Sequence, residues 1–243
     1  MLHGMMGEPG NWEGTFPYLP ATCHAVALRF PFFADGDSVR LDSVEATTDY
    51  ARGYLAGTDH PRIVLCGNSL GGHVALNLAL EMPERICGII LTASSGLFER
   101  SFGSASPHPP RDWVHDKMCE IFYDESHVTE EFVDWVVRAI SVRRNARDLV
   151  RIAKSAKRDN LGERLRNIAC PSLLIWGRQD QITPPNVAEE FRSKLPECEL
   201  EWIEQCGHAP MLEHPRPFAE HLCQWWYRHI CPQDSPEPGQ VTA

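Results

Sequence analysis

Residues 67–72, Gly-Asn-Ser-Leu-Gly-Gly, carry the clearest chemical signal in the sequence. They match the pattern G-x-S-x-G, in which a serine lies at a sharp turn between a strand and a helix. The apolar run 62–66 precedes the motif, and a helical pattern over 70–82 follows it. Glycines beside the serine omit the Cβ atoms that would collide in so tight a bend. The pattern predicts that Ser69 is a nucleophile.

A serine hydroxyl needs a base to take its proton and a third group to orient that base. Asp180 follows the apolar run 172–176, and His208 follows the run 199–203. The order serine, acid, histidine is the one expected after this elbow motif, and loops after parallel strands are where such sheets collect their chemistry. We therefore expect His208 to act as general base and Asp180 to orient it.

The oxyanion formed by such an attack requires at least two hydrogen-bond donors. One is expected to be the N–H of Leu70, the residue after the nucleophile. We assign the second to the N–H of Met5, in the glycine-bracketed loop 3–7 (HGMMG). Gly4 and Asn68 flank these groups and are predicted to contact the substrate.

Composition excludes several other classes of protein. The formal net charge is -10 and no Lys/Arg-rich run is present, which argues against a nucleic-acid partner. Nine scattered cysteines without a C-x-x-C pair favour reduced thiols in the cytoplasm over disulfides or a zinc site. No apolar run approaches the ~18 residues of a membrane span. We expect a small-molecule substrate and no metal or cofactor; the sequence leaves the oligomeric state open.

Apolar runs alternate with amphipathic helices along most of the chain, which predicts a parallel sheet covered by helices on both faces, the α/β class. The predicted strands include 25–30, 62–66, 86–93, 172–176 and 199–203. Between them, 97–166 contains no strand pattern and is mostly helical, which predicts a lid inserted in a core made of 1–96 and 167–231. The polar, proline-rich tail 232–243 is expected to be disordered.

Together the H-G loop, the G-N-S-L-G-G elbow, the W-G-R-Q-D acid loop and the C-G-H-A-P base loop resemble the α/β-hydrolase superfamily. Within it the chain is similar to carboxylesterases and to C–C hydrolases of meta-cleavage products. The resemblance implies a serine hydrolase without a cofactor. The lid segment 123–144, ending in Arg143 and Arg144, is similar to the lids of the C–C hydrolases and implies that these arginines bind a substrate carboxylate.

Three functions stay open at this point. The sequence favours hydrolysis of a carboxylic ester through an acyl-enzyme on Ser69. The first alternative is hydrolysis of a carbon–carbon bond in a meta-cleavage-type dienoate by the same residues, and the second is a non-catalytic small-molecule receptor on a hydrolase scaffold. Because the H-G loop begins at His3, the N-terminal strands of the superfamily are expected to be missing, as in a fragment or a protein with a late start.

Overall fold

Four parallel strands form the sheet of this computed structural model, which describes residues 1–33, 39–99 and 109–231. In the described residues the strand order is β1-β2-β3-β4. The strands are β1 (Ile63–Asn68), β2 (Ile86–Thr92), β3 (Ser172–Gly177) and β4 (Cys198–Ile203). The predicted runs over 62–66, 86–93, 172–176 and 199–203 thus become the sheet, and the expected fold class is confirmed.

Helices connect the strands in the described residues. They are α1 (Val44–Ala56), α2 (Leu70–Glu81), α3 (Arg111–Cys119), α4 (Glu130–Ser141), α5 (Arg143–Arg158), α6 (Pro185–Lys194), α7 (Pro210–Glu213) and α8 (Pro215–His229). Helix α2 crosses from β1 to β2, and α6 crosses from β3 to β4. Such crossovers are what two adjacent parallel strands require.

The strands β1 to β3 are buried along most of their length, and apolar side chains pack on both faces of the sheet. In β3, Leu174 and Trp176 join the core beneath α1, α2 and α6, whereas Leu173 and Ile175 join the core beneath α8. This alternation is the two-residue period of a strand, and it gives each face its own apolar cluster. Packing on both faces holds the sheet in place, and the loops at the ends of its strands project from it.

The segment between β2 and β3 contains α3, α4 and α5 and, in its described part, no strand. Helix α4 begins where the Thr129 side chain accepts a hydrogen bond from the N–H of Phe132 (3.1 Å), a typical N-cap. Helix α5 is tied to the core because the Ser155 hydroxyl accepts from the N–H of Val44 (2.8 Å). Part of the predicted lid, 100–108, lies outside the described residues, as does the predicted disordered tail 232–243.

The N-terminal end departs from the prediction that 25–30 forms a strand. Only Leu28 pairs there, through a parallel bridge to Leu2, which also bridges in parallel to Gly67 of β1. Leu28 donates its N–H to the carbonyl of Met1 (3.0 Å), and the Met1 amino group donates to the carbonyl of Val26 (2.6 Å). The carbonyl of Phe30 instead accepts from the N–H of Phe32 (2.9 Å), so the run forms one bridge rather than a strand. A cavity of about 410 Å³, lined by apolar residues of β1 and of 24–28, lies beside this short pairing.

Candidate active site

Ser69 occupies the turn between β1 and α2, where the sequence predicts it. Its backbone has φ 53° and ψ -118°, a conformation that non-glycine residues rarely adopt. A Cβ on Gly67 would lie 2.4 Å from the carbonyl oxygen of Gly71, and a Cβ on Gly71 would lie 2.2 Å from that of Leu2. Only glycine fits at these two positions, so the strained turn depends on both.

Asp180 and His208 lie in the loops after β3 and β4, and their side chains meet. His208 Nδ1 is 3.0 Å from Asp180 Oδ2 and 3.2 Å from Oδ1. The carboxylate also accepts hydrogen bonds from the N–H groups of Ile182 (2.8 Å) and Thr183 (3.0 Å) and from the Thr183 hydroxyl (2.7 Å). Asp180 is 3% exposed, so these donors replace the water that a carboxylate needs. The arrangement holds the imidazole with Nδ1 toward the acid, and Nε2 makes no hydrogen bond with the part of the chain that the structure describes.

Two glycines allow the acid and base loops to approach. A Cβ on Gly177 would lie 2.1 Å from the carbonyl oxygen of Gly207. Gln179 then joins the loops, because its N–H donates to the carbonyl of Cys206 (2.9 Å) and its side-chain oxygen accepts from the N–H of Cys206 (3.0 Å). Backbone packing therefore explains Gly177, three residues before Asp180, and Gly207, directly before His208.

Asn68 links the base loop to the serine turn. Its side-chain amide donates to the carbonyl of His208 (3.1 Å) and to that of Thr92 (3.3 Å). Ser69 and His208 line the same cavity of about 430 Å³. No side-chain hydrogen bond joins Ser69 to His208 within the described residues. Asn68 borders the cavity as predicted, but both of its amide contacts are to protein carbonyls, which makes it a positioning residue.

The two residues predicted to supply the oxyanion donors, Met5 and Leu70, both border the cavity. Leu70 is the first residue of α2, so its N–H has no partner in the helix and lies at the positive end of the helix dipole. Met5 lines the cavity in the loop after Leu2. In the described part of the chain, neither N–H makes a hydrogen bond. Gly4 also borders the cavity, where a Cβ would lie 3.2 Å from the Cβ of Ser69.

The cavity wall opposite the serine turn is largely apolar and comes from the helices between β2 and β3, together with α7. These apolar residues are Trp113, Met118, Phe122, Phe132, Val136, Ile140, Ile152, Ala156, Met211 and Leu212. The charged Lys117 also borders it, with its ammonium 2.5 Å from Glu120 Oε1. An apolar wall of this kind suits the hydrocarbon part of a substrate.

Arg143 and Arg144 are not brought to this cavity. They begin α5, whereas the residues of α5 that line the cavity start at Ile152, about 12 Å further along the helix at the usual rise per residue. Arg144 Nε lies 3.8 Å from Asp148 Oδ2, an ion pair one turn along the same helix. The carboxylate-binding role that the resemblance implies for the two arginines has no geometric basis among the described residues.

A second polar chain, which the sequence analysis missed, reaches the cavity beside Ser69. The N–H of Ser95 donates to the carbonyl of Ser69 (3.1 Å), and the Ser95 hydroxyl is 3.3 Å from His73 Nδ1. His73 Nε2 is 3.1 Å from Asp159 Oδ2, and this contact lowers the pKa of Asp159 to about 2. Glu99 borders the same cavity and accepts from the N–H of Gly96 (3.0 Å). In the sequence, the one feature that could have pointed to these residues was the pair Ser94-Ser95, which directly follows the predicted strand 86–93.

No metal site accompanies these residues: the described ranges contain no group of three or more His, Cys, Asp or Glu side chains placed to hold an ion. In the same residues, none of the helices combines the length and the apolar character that crossing a membrane demands. The site thus consists of a strained serine, a histidine held by a buried carboxylate, and an apolar cavity between them.

This combination of parallel sheet, serine elbow, late acid and last-loop histidine defines a class, the α/β hydrolases. The model of the alpha/beta hydrolase family matches residues 1–221, and the chain belongs to that family. Relatives named as hydrolases and esterases cover about nine-tenths of the chain, and this chain is a hydrolase of the α/β type.

Relatives within the family differ in their named reactions. The chain is 29% identical to a pimeloyl-[acyl-carrier protein] methyl ester esterase of Nitrosomonas europaea, with 90% of this chain and 91% of the relative covered. It is 27% identical to a 2-hydroxy-6-oxononadienedioate/2-hydroxy-6-oxononatrienedioate hydrolase of Comamonas testosteroni, with 90% and 83% covered. Among solved structures, the α/β hydrolase enzyme MGS-MChE2 from a lagoon-sediment metagenome (Mar Chica, Morocco) is 32% identical, with a TM-score of 0.74 and 93% and 89% covered.

Proposed function

We propose that the chain is a serine hydrolase that cleaves a small carboxylic ester through an acyl-enzyme on Ser69. The observation that carries the proposal is that Ser69 and His208 border one cavity while Asp180 holds His208 Nδ1 at 3.0 Å. A histidine held in this way presents Nε2 as the proton acceptor. No metal or cofactor enters the proposed reaction.

The proposed reaction has two halves. Ser69 Oγ attacks the ester carbonyl carbon and passes its proton to His208, and the N–H groups of Leu70 and Met5 stabilise the oxyanion. The carbonyl–oxygen bond then breaks, and the departing alcohol takes the proton from His208. Water, deprotonated by the same imidazole, attacks the acyl-enzyme and releases the acid together with free Ser69.

The N–H of Leu70 supports this proposal independently of the triad. It lies at the N-terminus of α2 and directly after the nucleophile, where a helix dipole favours negative charge. Removal of one oxyanion donor typically costs about 3 kcal/mol of transition-state stabilisation.

Cleavage of a carbon–carbon bond, which the resemblance to meta-cleavage product hydrolases implies, is the second candidate, because relatives named as hydrolases of 2-hydroxy-6-oxo-dienoates are about as similar as the esterases. Its substrates are carboxylates. Arg143 and Arg144, the predicted partners of such a group, do not border the cavity, whereas the carboxyl of Glu99 does. This favours an ester over a dienoate. The receptor alternative has no such support, because the acid and the base are held together as a catalytic pair.

The test compares two substrates on one preparation: p-nitrophenyl hexanoate and a 2-hydroxy-6-oxo-dienoate. We expect saturable ester hydrolysis that falls at least 10³-fold in Ser69→Ala and that is unaltered in Ser193→Ala, an exposed serine on α6. Faster turnover of the dienoate than of the ester would establish the second candidate. Ligand binding without turnover of either substrate would establish the receptor.

A further inference from the structure

Glu99 brings an acidic side chain into a cavity whose wall is otherwise mostly apolar. It lies in the loop after β2, and its Oε1 accepts from the N–H of Gly96 at 3.0 Å. The preceding N–H, that of Ser95, donates to the carbonyl of Ser69 at 3.1 Å. Two consecutive amides therefore hold the nucleophile's backbone and the Glu99 carboxyl side by side.

The side chain is largely shielded from water. Burial raises the pKa of the Glu99 carboxyl, although hydrogen bonds from Gly96 and Ser95 and the charges of His73 and His208 oppose this change. Glu99, Ser69 and His208 all border this cavity, so a charge on Glu99 lies near the region where the proposed reaction occurs. Charges in such a poorly solvated place interact more strongly than at the surface.

Besides Lys117, the basic side chains that border the cavity in the described residues are His127, whose ring stacks on Phe122, and His208, which Asp180 holds. Lys117 is the lysine that borders the cavity in the described residues, and its ammonium is already 2.5 Å from the Glu120 carboxylate. A charged substrate group is therefore expected to meet Glu99 without a comparable attraction from Lys117.

We infer that Glu99 sets the charge specificity of the site, so that the enzyme accepts esters with neutral or cationic acyl chains and rejects those whose acyl chain ends in a carboxylate. A neutral chain packs on the apolar wall, and a cationic group gains the carboxylate as a partner. An anionic chain meets like charge in a cavity whose lining is mostly apolar. This inference rests on the proposed function, because it restricts the proposed ester substrates to those with neutral or cationic acyl chains.

The experiment uses three p-nitrophenyl esters with acyl chains of equal length: the hexanoate, the 6-(trimethylammonio)hexanoate and the monoester of adipic acid. The readout is the kcat/KM of each charged ester divided by that of the hexanoate. Ratios are used because Glu99 also acts on His208, and a change in that interaction multiplies all three rates alike. Glu84→Gln, an exposed carboxylate between α2 and β2, is the control for the change in overall charge.

In Glu99→Gln we expect the adipate ratio to rise at least tenfold and the trimethylammonio ratio to fall at least tenfold, each equivalent to about 1.4 kcal/mol. Glu84→Gln should leave both ratios within twofold of the wild type. A common loss of rate with unchanged ratios would show that Glu99 is only structural and would overturn the inference.

A binding measurement keeps the inference testable if the ester reaction itself fails. The same three compounds are titrated calorimetrically into Ser69→Ala and into Ser69→Ala combined with Glu99→Gln. The double variant should bind the adipate ester at least tenfold more tightly relative to the hexanoate. Equal relative affinities in the two proteins would refute the charge specificity, whereas absence of turnover in the wild type would refute only the proposed function.

Discussion

His3 makes the loop that carries Met5 sensitive to acid. Its Nδ1 is 2.8 Å from the carbonyl of Gly4, and its Nε2 accepts from the N–H of Phe30 at 3.0 Å. A carbonyl only accepts and an amide only donates, so the ring is neutral with its proton on Nδ1. Burial lowers the pKa of His3 to about 4. Protonation of Nε2 would break the bond to Phe30.

The size of this effect on the free energy of unfolding follows from the pKa of His3 in the folded and the unfolded chain. The ordinary histidine value is 6.5 and the folded value is about 4, a difference of about 2.5 pH units. At about 1.4 kcal/mol per unit, His3 makes the free energy of unfolding about 3 kcal/mol lower at pH 4 than at pH 7.5. Because the folded pKa is depressed, the unfolded chain binds the proton first. Stability is therefore full above pH 6.5, falls as the pH drops toward 4, and levels off below it.

The assay is urea unfolding followed by tryptophan fluorescence at several pH values from 7.5 to 4. The wild type and His3→Gln share all other titrating groups. The contributions of those groups therefore cancel when the free energy of unfolding of one protein is subtracted from that of the other. That difference should shrink by about 3 kcal/mol over this range. The matched control is His60→Gln, which removes an exposed imidazole. Parallel stability curves for the wild type and His3→Gln would refute the reasoning.

Three further substitutions test the site. Gly71→Ala would place a methyl group 2.2 Å from the Leu2 carbonyl oxygen and should lower the free energy of unfolding by about 3 kcal/mol, measured by urea titration. Its control is Gly53→Ala on α1, where the added methyl group meets open space and should raise the free energy of unfolding by about 1 kcal/mol. Asn68→Ala removes two side-chain hydrogen bonds; we expect a loss of about 2 kcal/mol by urea titration and at least a tenfold lower kcat/KM for p-nitrophenyl hexanoate. Asp180→Asn should retain the fold by circular dichroism but lower kcat about 10⁴-fold, because an amide favours the wrong imidazole tautomer; a loss below tenfold would contradict this role.

Local sequence signals predicted the sheet and the loops of the site. The runs that became β1 to β3 were mostly apolar, whereas the run that became β4 alternates acidic and apolar residues. The glycines that permit close backbone approaches in the site lie within three residues of Ser69, Asp180 or His208. Helix α1 was missed, although Ser43 before an apolar periodicity is a typical N-cap and its hydroxyl does accept from the N–H of Ala46 (3.0 Å). The strand predicted over 25–30 was wrong because a strand also needs neighbours, and pairing is a tertiary property.

The parts that sequence reasoning could not predict depend on long-range contacts. Asn68 was expected to bind substrate, yet its partner is the His208 carbonyl, 140 residues away. Glu99 and His73 gave no sequence signal because their surroundings, Gly96 and Asp159 among them, assemble only in the folded chain. The carboxylate-binding role of Arg143 and Arg144 was inferred from the lids of similar proteins. In the described residues the two arginines lie at the start of α5, whereas the residues of α5 that border the cavity begin at Ile152.

The most direct test of the account is covalent labelling with a fluorophosphonate probe, followed by mass spectrometry of the digested protein. Such probes phosphonylate an activated serine. The account predicts one label per chain on the peptide that contains Ser69, no label in Ser69→Ala, and much slower labelling in His208→Gln with the fold intact. Labelling at another residue, or no labelling of well-folded wild-type protein, would contradict it.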